Sequence, residues 1–524
     1  MEAQDTDVLI VGDGPVGQTL AVLLAQRGWA VTVVDRWPEP YTMSRAVAFD
    51  SEAARVLAAA GITEYVAGDT EPSGRYVWQN AEGRILLDIR GNEEGWCHWP
   101  DSTSMYQPAL EAALTARGRE LPTLRVLRGV EAVEVADHGE HVELVVTDRA
   151  GARTTLSARW LVGCDGANSF VRKRIGGEQT DLNFSRDWLI CDVVPHERRA
   201  FDPNNLQICD PARPRTAASA GPGHRRWEFM RVEGESVEEL DTPESVWRLL
   251  DLFGITPDNA TLLRHAVYTF QARWARTWRA GRLLIAGDAA HVMPPFAGQG
   301  MCSGIRDAAN LAWKLDLVLR DRAGETLLDS YQDERAKHVQ HAVRMSVDLG
   351  KVICQLDPAA AADRDTVMLG ARERGVGSGA PQAPVHPLRG GLVQAGGTGL
   401  TGRLSPQARV RRGAETGLFD EVVGTGFVLL AREDPRPHLD ADTLAFLDEL
   451  GAHVVTVVPG DEEPPAGGVA DVDGRYLARL AEAGAAAILV RPDFYVYGQV
   501  PSVAEAGALV TDLRARISTV SVTG

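Results

Sequence analysis

A short apolar strand that runs directly into a glycine-rich turn restricts the fold of this chain more than any other feature. Residues 8–11 are typical of a strand buried in a parallel sheet, and a G-x-G-x-x-G turn follows at once. Residues 18–27 have the spacing of an amphipathic helix, and residues 30–34 form a second buried strand that ends at Asp35. This order predicts a βαβ unit at the start of a doubly wound α/β domain.

The turn also has the chemistry of a dinucleotide site. Glycines permit the tight turn and let a pyrophosphate approach the helix N-terminus, where free N–H groups and the helix dipole favour anions. Asp35 lies 23 residues after Gly12, close to where a carboxylate meets a ribose hydroxyl. The residues expected to contact the dinucleotide here are Gly12, Gly14, Pro15, Val16, Gly17, Asp35 and Arg36.

Two later motifs indicate that the dinucleotide is FAD. The first is an Asp-Gly pair, Asp165-Gly166. The second begins with an apolar strand ending at Gly287-Asp288, where the carboxylate can accept from a ribitol hydroxyl. It continues through a proline pair into a helix whose first N–H groups could stabilise negative charge on a reduced flavin. The predicted contacts of this second motif are Gly287, Asp288, Pro294, Gly298, Gln299, Gly300 and Met301.

In this order and spacing, the three motifs resemble those of the single-component FAD-dependent aromatic hydroxylases, the class A flavoprotein monooxygenases that include para-hydroxybenzoate hydroxylase. The resemblance covers about residues 5–350. It implies an α/β fold in which a Rossmann-like FAD-binding domain carries an inserted antiparallel-sheet substrate domain. It also implies that Arg45 and Gln107 contact FAD, together with the acidic Asp165 and Asp288.

Four shorter segments, residues 209–214, 226–230, 267–273 and 491–493, resemble 3-(3-hydroxyphenyl)propionate hydroxylases, and aromatic hydroxylases that tailor polyketides share the architecture. The resemblance implies that NADH or NADPH reduces FAD and that O2 adds at the flavin C4a carbon. The resulting hydroperoxide then hydroxylates a phenolic ring. A phenol similar to 3-(3-hydroxyphenyl)propionate is the expected substrate, with an aromatic polyketide as the alternative. Such chemistry needs a pocket that excludes water.

Changes in pattern along the chain predict five segments. Short alternating runs replace the α/β pattern in the second, and Ala, Gly and Pro accumulate in the fourth. The last segment resembles a thioredoxin fold but contains no cysteine, which excludes thiol redox chemistry there and favours a structural or oligomer role. The segments are FAD-binding (1–181), substrate-binding (182–275), FAD-binding again (276–356), linker or extended arm (357–409) and thioredoxin-like (410–524).

Candidates for the substrate pocket are less specific. Pro295 and Phe296 are expected at its floor beside the flavin. Trp227 and Phe229, two residues apart on a strand, would share one face of the sheet and either meet the substrate or pack in the core. Arg213 could bind a substrate carboxylate or lie in a solvated loop, and Gln207 is a similar polar candidate.

Histidines offer candidates for proton transfer, since the imidazole titrates near neutrality. His98 and His291 could assist phenol deprotonation. His338 and His341, three residues apart on a predicted helix, suggest a metal site only in part, because a third ligand is lacking. A solvated helix face is the expected role of this pair, and no metal site is predicted.

Composition narrows the possible partners. The 72 acidic and 54 basic side chains give a net charge of -18, which disfavours nucleic acid and anionic membranes. The six cysteines lack C-x-x-C spacing, so neither a zinc site nor a disulfide framework is expected, and a reducing cytoplasm fits. No apolar stretch reaches the length of about 18 residues that suggests a membrane span. We expect a cytoplasmic monomer or homodimer that takes a small aromatic substrate.

Other functions are possible on the same scaffold. Residues 95–100 superficially resemble the tryptophan motif of flavin-dependent halogenases, but two residues rather than one separate the tryptophans. A Baeyer-Villiger oxygenase, a simple flavin reductase and a protein that binds flavin or an aromatic ligand without turnover stay open as alternatives. Labelled O2 distinguishes them: the label enters a ring hydroxyl, an ester or only peroxide.

Overall fold

The structure is a computed structural model that describes residues 6–40, 45–197, 199–375 and 386–518. The strands in these ranges are β1 (Thr6–Val11), β2 (Val31–Asp35), β3 (Ala48–Asp50), β4 (Thr70–Pro72), β5 (Arg75–Gln79), β6 (Ile85–Arg90), β7 (Ser102–Met105), β8 (Leu124–Arg128), β9 (Val130–Asp137), β10 (Val142–Asp148), β11 (Arg153–Gly163), β12 (Gln179–Pro195), β13 (Asn205–Ile208), β14 (Arg215–Ser219), β15 (Arg225–Met230), β16 (Ala260–Ala275), β17 (Arg279–Ala280), β18 (Leu283–Ile285), β19 (His291–Val292), β20 (Arg409–Arg412), β21 (Glu415–Leu418), β22 (Val428–Ala431), β23 (His453–Pro459), β24 (Val469–Asp471), β25 (Ala487–Val490) and β26 (Val496–Val500).

The α-helices are α1 (Pro15–Ala25), α2 (Ser51–Ala59), α3 (Thr63–Val66), α4 (Gln107–Arg119), α5 (Phe170–Arg174), α6 (Val237–Leu240), α7 (Pro243–Leu250), α8 (Gly300–Leu319), α9 (Asp329–Ile353), α10 (Pro358–Glu373), α11 (Phe419–Val422), α12 (Ala441–Leu450), α13 (Arg475–Glu482) and α14 (Ala506–Ser518). Short 3-10 helices span Asp251–Phe253, Gly287–Ala289, Pro295–Ala297, Glu325–Leu328, Arg436–His438 and Val503–Glu505.

The predicted doubly wound domain is confirmed, and its sheet brings the three sequence motifs together. Strand order is β17-β18-β11-β1-β2-β8, and β1 runs parallel to β2 and β11. The last residue of β1, Val11, is paired with Gly163 of β11, and Gly163 is paired with Ile285 of β18. Each of these strand ends immediately precedes one motif. A single edge of the sheet therefore presents all three, where open α/β sheets bind their ligands.

The inserted antiparallel sheet is also confirmed, but its predicted boundaries were too narrow. Its order is β19-β16-β12-β15-β14-β13-β5-β6, so β5 and β6 from the first segment complete the sheet that residues 182–275 begin. Most pairs are antiparallel, whereas β13 and β5 are parallel. Side chains alternate between a face that lines a large cavity and a face covered by α7.

The predicted linker contains a helix, which corrects the expectation of an extended arm over residues 357–409. Helix α10 starts at Pro358, and the Asp357 carboxylate caps it by accepting from the Ala360 N–H at 2.8 Å. It packs beside β6, where Arg372 Nη1 donates to the Ile85 carbonyl at 2.9 Å. The alanines of this segment favour a helix, although the Gly and Pro around them are typical of a linker. The Gly/Pro-rich part at 376–385 lies outside the described residues.

The thioredoxin-like C-terminal domain is confirmed. In its sheet, β22 runs parallel to β23 and antiparallel to β25, and β26 pairs antiparallel with β25. Helices α12, α13 and α14 follow β22, β24 and β26, as the thioredoxin topology requires. Loops of this domain contact α8 and α9, so it is fixed against the FAD-binding domain through buried charges.

All six cysteines are free thiols in the structure. Among the helices of the described ranges, none is both long and apolar enough to cross a bilayer.

Candidate active site

The glycine-rich turn is shaped by close backbone approaches. A Cβ on Gly17 would lie 2.0 Å from the Gly12 carbonyl oxygen, and a Cβ on Gly12 would lie 2.4 Å from the Cys164 carbonyl oxygen. Gly14, in contrast, has no heavy atom within 4 Å of the position a Cβ would take, and it borders the cavity at the start of α1. Gly12 and Gly17 therefore close the turn, and Gly14 leaves room for a ligand at the helix N-terminus.

Acidic groups surround the outer end of this turn. Asp35, for which a ribose contact was expected, lines the cavity, and its carboxylate accepts from the Asp13 N–H at 2.8 Å. Sequence reasoning missed Asp13 itself, which forms an ion pair with Arg128. Burial raises the pKa of Asp13 to about 6 and that of Glu111 to about 7, although Arg128 and Gln107 oppose these shifts. The exposed Arg36 lines the cavity on the same side.

Three predicted FAD contacts from distant parts of the chain meet in the middle of the cavity. Arg45 Nη1 lies 2.7 Å from Asp288 Oδ2, where a ribitol chain was expected. Gln107 Oε1 accepts from the N–H groups of Arg45 and Ala46, both at 2.8 Å. Gln107 thus orients the segment that carries the Arg45 guanidinium. The spacing of these residues in the sequence does not suggest their contact.

The Asp-Gly motif is held by its own carboxylate. Asp165 Oδ1 accepts from the Ser169 hydroxyl at 2.5 Å, and Oδ2 accepts from the Phe170 and Val171 N–H groups at 2.6 and 3.1 Å. Both oxygens are therefore engaged at the start of α5, while Asp165 and Gly166 still line the cavity. This arrangement supports a role for Asp165 in shaping the loop beside the cofactor.

His291 belongs to the support of the site and not to the cavity, which corrects its prediction as a proton acceptor. The side chain is fully buried, and Nε2 lies 2.6 Å from Asp307 Oδ2. The same oxygen accepts from the Gly287 N–H at 3.1 Å, and Arg335 Nε donates to Oδ1 at 2.8 Å. Burial would raise the pKa of Asp307, but His291 and Arg335 lower it. The group therefore holds the turn that presents Asp288.

The segment after the proline pair forms the far end of the cavity. Pro295 and Phe296 line it, and the Phe296 ring packs edge-on against Trp188 and Phe270, with centroids 5.7 and 5.9 Å away. Helix α8 then begins without a side-chain cap, so its first N–H groups stay available to a ligand. Of the residues expected to contact FAD, Gly298, Gln299, Gly300 and Met301 line the cavity, whereas Gly17, Gly287 and Pro294 are not among the lining residues.

The sheet presents a polar face to the cavity, and the aromatic candidates lie on the other side. Trp227 and Phe229 share a face, as predicted, but they are buried against α7 and do not line the cavity. The predicted substrate contact by these two residues is therefore wrong, because α7 covers their face. Their neighbours Arg226 and Glu228 line the cavity instead.

Of the two polar candidates, only Gln207 lines the cavity. Its Oε1 accepts from the Thr216 hydroxyl at 2.7 Å, and its Nε2 donates to the Arg215 carbonyl at 3.1 Å. Arg213 lies outside the lining and donates to both carboxylate oxygens of Glu235, at 2.5 and 3.0 Å. Because that guanidinium is already paired with a carboxylate, the prediction that it binds a substrate carboxylate is wrong.

The remaining histidine predictions also change. His98 lies at the contact with the C-terminal domain, with Nδ1 3.1 Å from Glu94 Oε1, and does not line the cavity. The expected proton transfer by His98 therefore has no support in its position. His338 and His341 line the cavity and are not a solvated helix face; the His341 ring centroid is 3.7 Å from that of His386. Burial and nearby Arg335 lower the pKa of His338 to about 3.

The residues present fit FAD. The cavity has a volume of about 1540 Å³, more than the roughly 300–1,000 Å³ of a site for one small molecule. It extends from the open space at Gly14, past Arg45 and Asp288, to the uncapped start of α8. Such a cavity can hold a dinucleotide along the edge of the FAD-binding sheet and a second molecule against the inserted sheet.

Comparison with known proteins agrees with this geometry. Residues 5–346 match the family model of an FAD binding domain, and residues 402–516 match that of the HcaD C-terminal domain. A probable NADH-specific resorcinol 4-hydroxylase from Rhodococcus jostii (strain RHA1) is 39% identical over 98% of this chain and 96% of the relative. A 3-(3-hydroxy-phenyl)propionate/3-hydroxycinnamic acid hydroxylase from Klebsiella pneumoniae (strain 342) is 33% identical over 93% of this chain and 91% of the relative.

Solved structures share the whole architecture. A ternary complex of aklavinone-11 hydroxylase with FAD and aklavinone has a TM-score of 0.78 and 25% identity, over 99% of this chain and 100% of that chain. The flavin-dependent monooxygenase PieE, in complex with FAD and substrate, has a TM-score of 0.81 and 23% identity, over 98% and 99%. The family model spans well over half of the chain, and both sequence relatives match along nearly their full length. The chain therefore belongs to the FAD-dependent aromatic hydroxylases, as its three motifs predicted.

Proposed function

We propose that this monooxygenase hydroxylates a small phenol of the resorcinol type, with NADH as the reductant. The observation that carries the proposal is the charge on the cavity face of the inserted sheet. Among the described residues of this sheet that line the cavity, Arg226 is the only cation, and its guanidinium is already paired with Asp192 through contacts at 2.7 and 3.0 Å. A phenol without a carboxylate suits this face better than an arylpropionate does, and the 39% identical relative is named for resorcinol.

Bound FAD supplies the redox chemistry, because it takes a hydride from the nicotinamide and activates O2 for transfer of one oxygen atom to the ring. The protein positions the substrate and keeps water out of the reaction site. Pro295 and Phe296 close the cavity floor against the aromatic side chains of β12 and β16, which excludes water. The uncapped start of α8 offers N–H groups to negative charge on the reduced cofactor.

An arylpropionate substrate is the second candidate, and it needs a cation elsewhere in the cavity. Arg403 and Arg479, from the C-terminal part of the chain, are among the residues that line the cavity. Arg479 contacts Glu482 at 2.9 Å, and Arg403 donates to the Gly399 carbonyl at 2.9 Å. The names of several relatives favour this substrate class.

The deciding experiment supplies the holoenzyme with resorcinol, 3-(3-hydroxyphenyl)propionate or a polycyclic phenol, and with NADH or NADPH. We expect resorcinol to accelerate NADH oxidation and to yield a triol that carries one atom of labelled O2. A ten-fold higher kcat/KM for the arylpropionate would reject the small-phenol proposal. NADH oxidation that yields only peroxide with every phenol would reject hydroxylation of all three.

We propose a cytoplasmic location, where reduced nicotinamide is available and the six free thiols stay reduced. A monomer or a homodimer stays the prediction for the assembly, and light scattering on the purified holoenzyme measures which one forms.

A further inference from the structure

Glu228 occupies a central position on the cavity face of the inserted sheet. It is paired with Thr216 on β14 and with Ile190 on β12, and Thr216 is paired with Gln207 on β13. These side chains therefore form one row across the sheet. Arg226, two residues earlier on β15, donates to the Arg45 carbonyl at 2.8 Å. Glu228 thus lies roughly 7 Å along the strand from Arg226, the residue that contacts the loop carrying Arg45.

The Glu228 carboxylate borders the cavity and is half-buried. No residue in the described ranges donates a hydrogen bond to this carboxylate or forms an ion pair with it. Its neighbours use their own donors elsewhere, since the Thr216 hydroxyl donates to Gln207 and the Gln207 amide donates to the Arg215 carbonyl. Because the carboxylate borders the cavity, a molecule bound there can supply the hydrogen-bond donor.

The electrostatic surroundings make this carboxyl group suitable for proton transfer. Burial raises the pKa of Glu228 to about 7, while Arg226 on the same strand lowers it and Asp192 on β12 raises it. Tyr76 on β5 and Cys191 on β12 also interact electrostatically with Glu228, and Thr216 on β14 does not ionise in this range. A carboxylate with a pKa near the working pH is ionised in a large fraction of the molecules and is still basic enough to accept a proton.

We propose that Glu228 accepts the hydrogen bond of the substrate's phenolic hydroxyl and takes its proton. The proposal rests on the phenol hydroxylation proposed above and adds the residue that activates the ring. The phenolic O–H bond breaks, an O–H bond forms on the carboxylate, and the negative charge moves to the phenolate oxygen and into the ring. This proton transfer is not a redox step, because the electron pair of the broken O–H bond stays on the phenolic oxygen. The phenolate is more reactive towards an electrophilic oxygen at its ortho and para carbons, and the proton leaves Glu228 for solvent after product release.

The test compares Glu228→Gln with Glu228→Asp and with Glu233→Gln in the full holoenzyme. Glu233 is exposed on the loop after β15, so its substitution controls for loss of one negative charge. We expect Glu228→Gln to lower kcat/KM for resorcinol about 100-fold or more, in line with the usual contribution of a general base. Its Kd for resorcinol, measured by perturbation of the oxidised flavin spectrum, should change only a few-fold. NADH oxidation should continue but yield peroxide in place of triol.

The pH dependence separates a base from a merely structural residue. Because Glu228 must be ionised to accept a proton, wild-type kcat/KM should rise as the pH passes about 7, and Glu228→Gln should lose this rise. Glu228→Asp should keep the rise with reduced activity. A fluorinated resorcinol, which ionises more readily, should restore much of the activity of Glu228→Gln. Equal profiles and equal kcat/KM in wild type and Glu228→Gln would overturn the proposal. Failure of the wild-type enzyme to hydroxylate any phenol would instead reject the proposed function.

Discussion

The sharpest stability prediction concerns Glu334, which joins three parts of the chain. This residue of α9 contacts Lys314 of α8 at 2.9 Å and Arg491 of the C-terminal domain at 2.7 Å. Arg491 also pairs with Asp493, and the four side chains are almost wholly buried. Two positive and two negative groups balance, so Glu334→Gln would leave one buried positive charge.

The pKa of Glu334 gives the magnitude. Burial alone would raise it, but Arg491 and Lys314 lower it from 4.5 to about 2. Since one pH unit corresponds to about 1.4 kcal/mol, the charges stabilise the ionised form by about 3 kcal/mol. A carboxylate with a lowered pKa contributes this stability above its unfolded-state pKa, near 4.5, and loses it as the pH falls towards 2. The full effect is therefore present at pH 7, and removal of one partner from a buried pair commonly costs about 3–5 kcal/mol.

Thermal unfolding of the holoenzyme at pH 7 with a fixed excess of FAD measures this loss. A loss of about 3 kcal/mol corresponds to a Tm roughly 6–12 °C lower if the cooperative unit has about 150–250 residues, and to a smaller decrease if the whole chain unfolds as one unit. Glu325→Gln is the matched control, because Glu325 pairs with Arg282 at a position where its side chain is 44% exposed and should contribute about 1 kcal/mol or less. A Tm for Glu334→Gln equal to that of the control would refute the reasoning. Lys314→Met combined with Glu334→Gln restores neutrality and should recover part of the lost stability.

Three further predictions address the cofactor site and the inserted sheet. Gly17→Ala should be purified without flavin absorbance because its Cβ would meet the Gly12 carbonyl at 2.0 Å, whereas Gly14→Ala should fold and only weaken FAD binding; equal flavin content in both variants would contradict this. Asp288→Asn should raise the Kd for FAD about 10- to 100-fold, as expected for a hydrogen bond to a charged group, and titration of the apoprotein measures it. An unchanged Kd would count against the ribitol contact. Trp227→Ala should lower the free energy of unfolding by about 3–5 kcal/mol, measured in urea, with the KM for the phenol unchanged. A ten-fold change in that KM would indicate that Trp227 contacts the substrate.

Much of the FAD site is determined by the sequence alone. Each motif combines a buried strand with a turn, and both are local patterns, so Gly12, Asp165 and Asp288 could be placed before any tertiary contact was known. The carboxyl ends of neighbouring parallel strands share one edge of a sheet, which is why motifs more than a hundred residues apart converge. Gly298 and Gly300 mark the start of α8 in the same local way.

Tertiary structure alone decided the substrate face. A two-residue period shows that Trp227 and Phe229 share one side of β15, but the packing of α7 determines which side is core. The same packing leaves Glu228 on the cavity side, where no local pattern marks it. Arg213 is paired with the carboxylate of Glu235, and His291 is paired with the carboxylate of Asp307. Such pairings depend on which surfaces meet when distant segments pack, and this information is not carried by the spacing of residues along one segment.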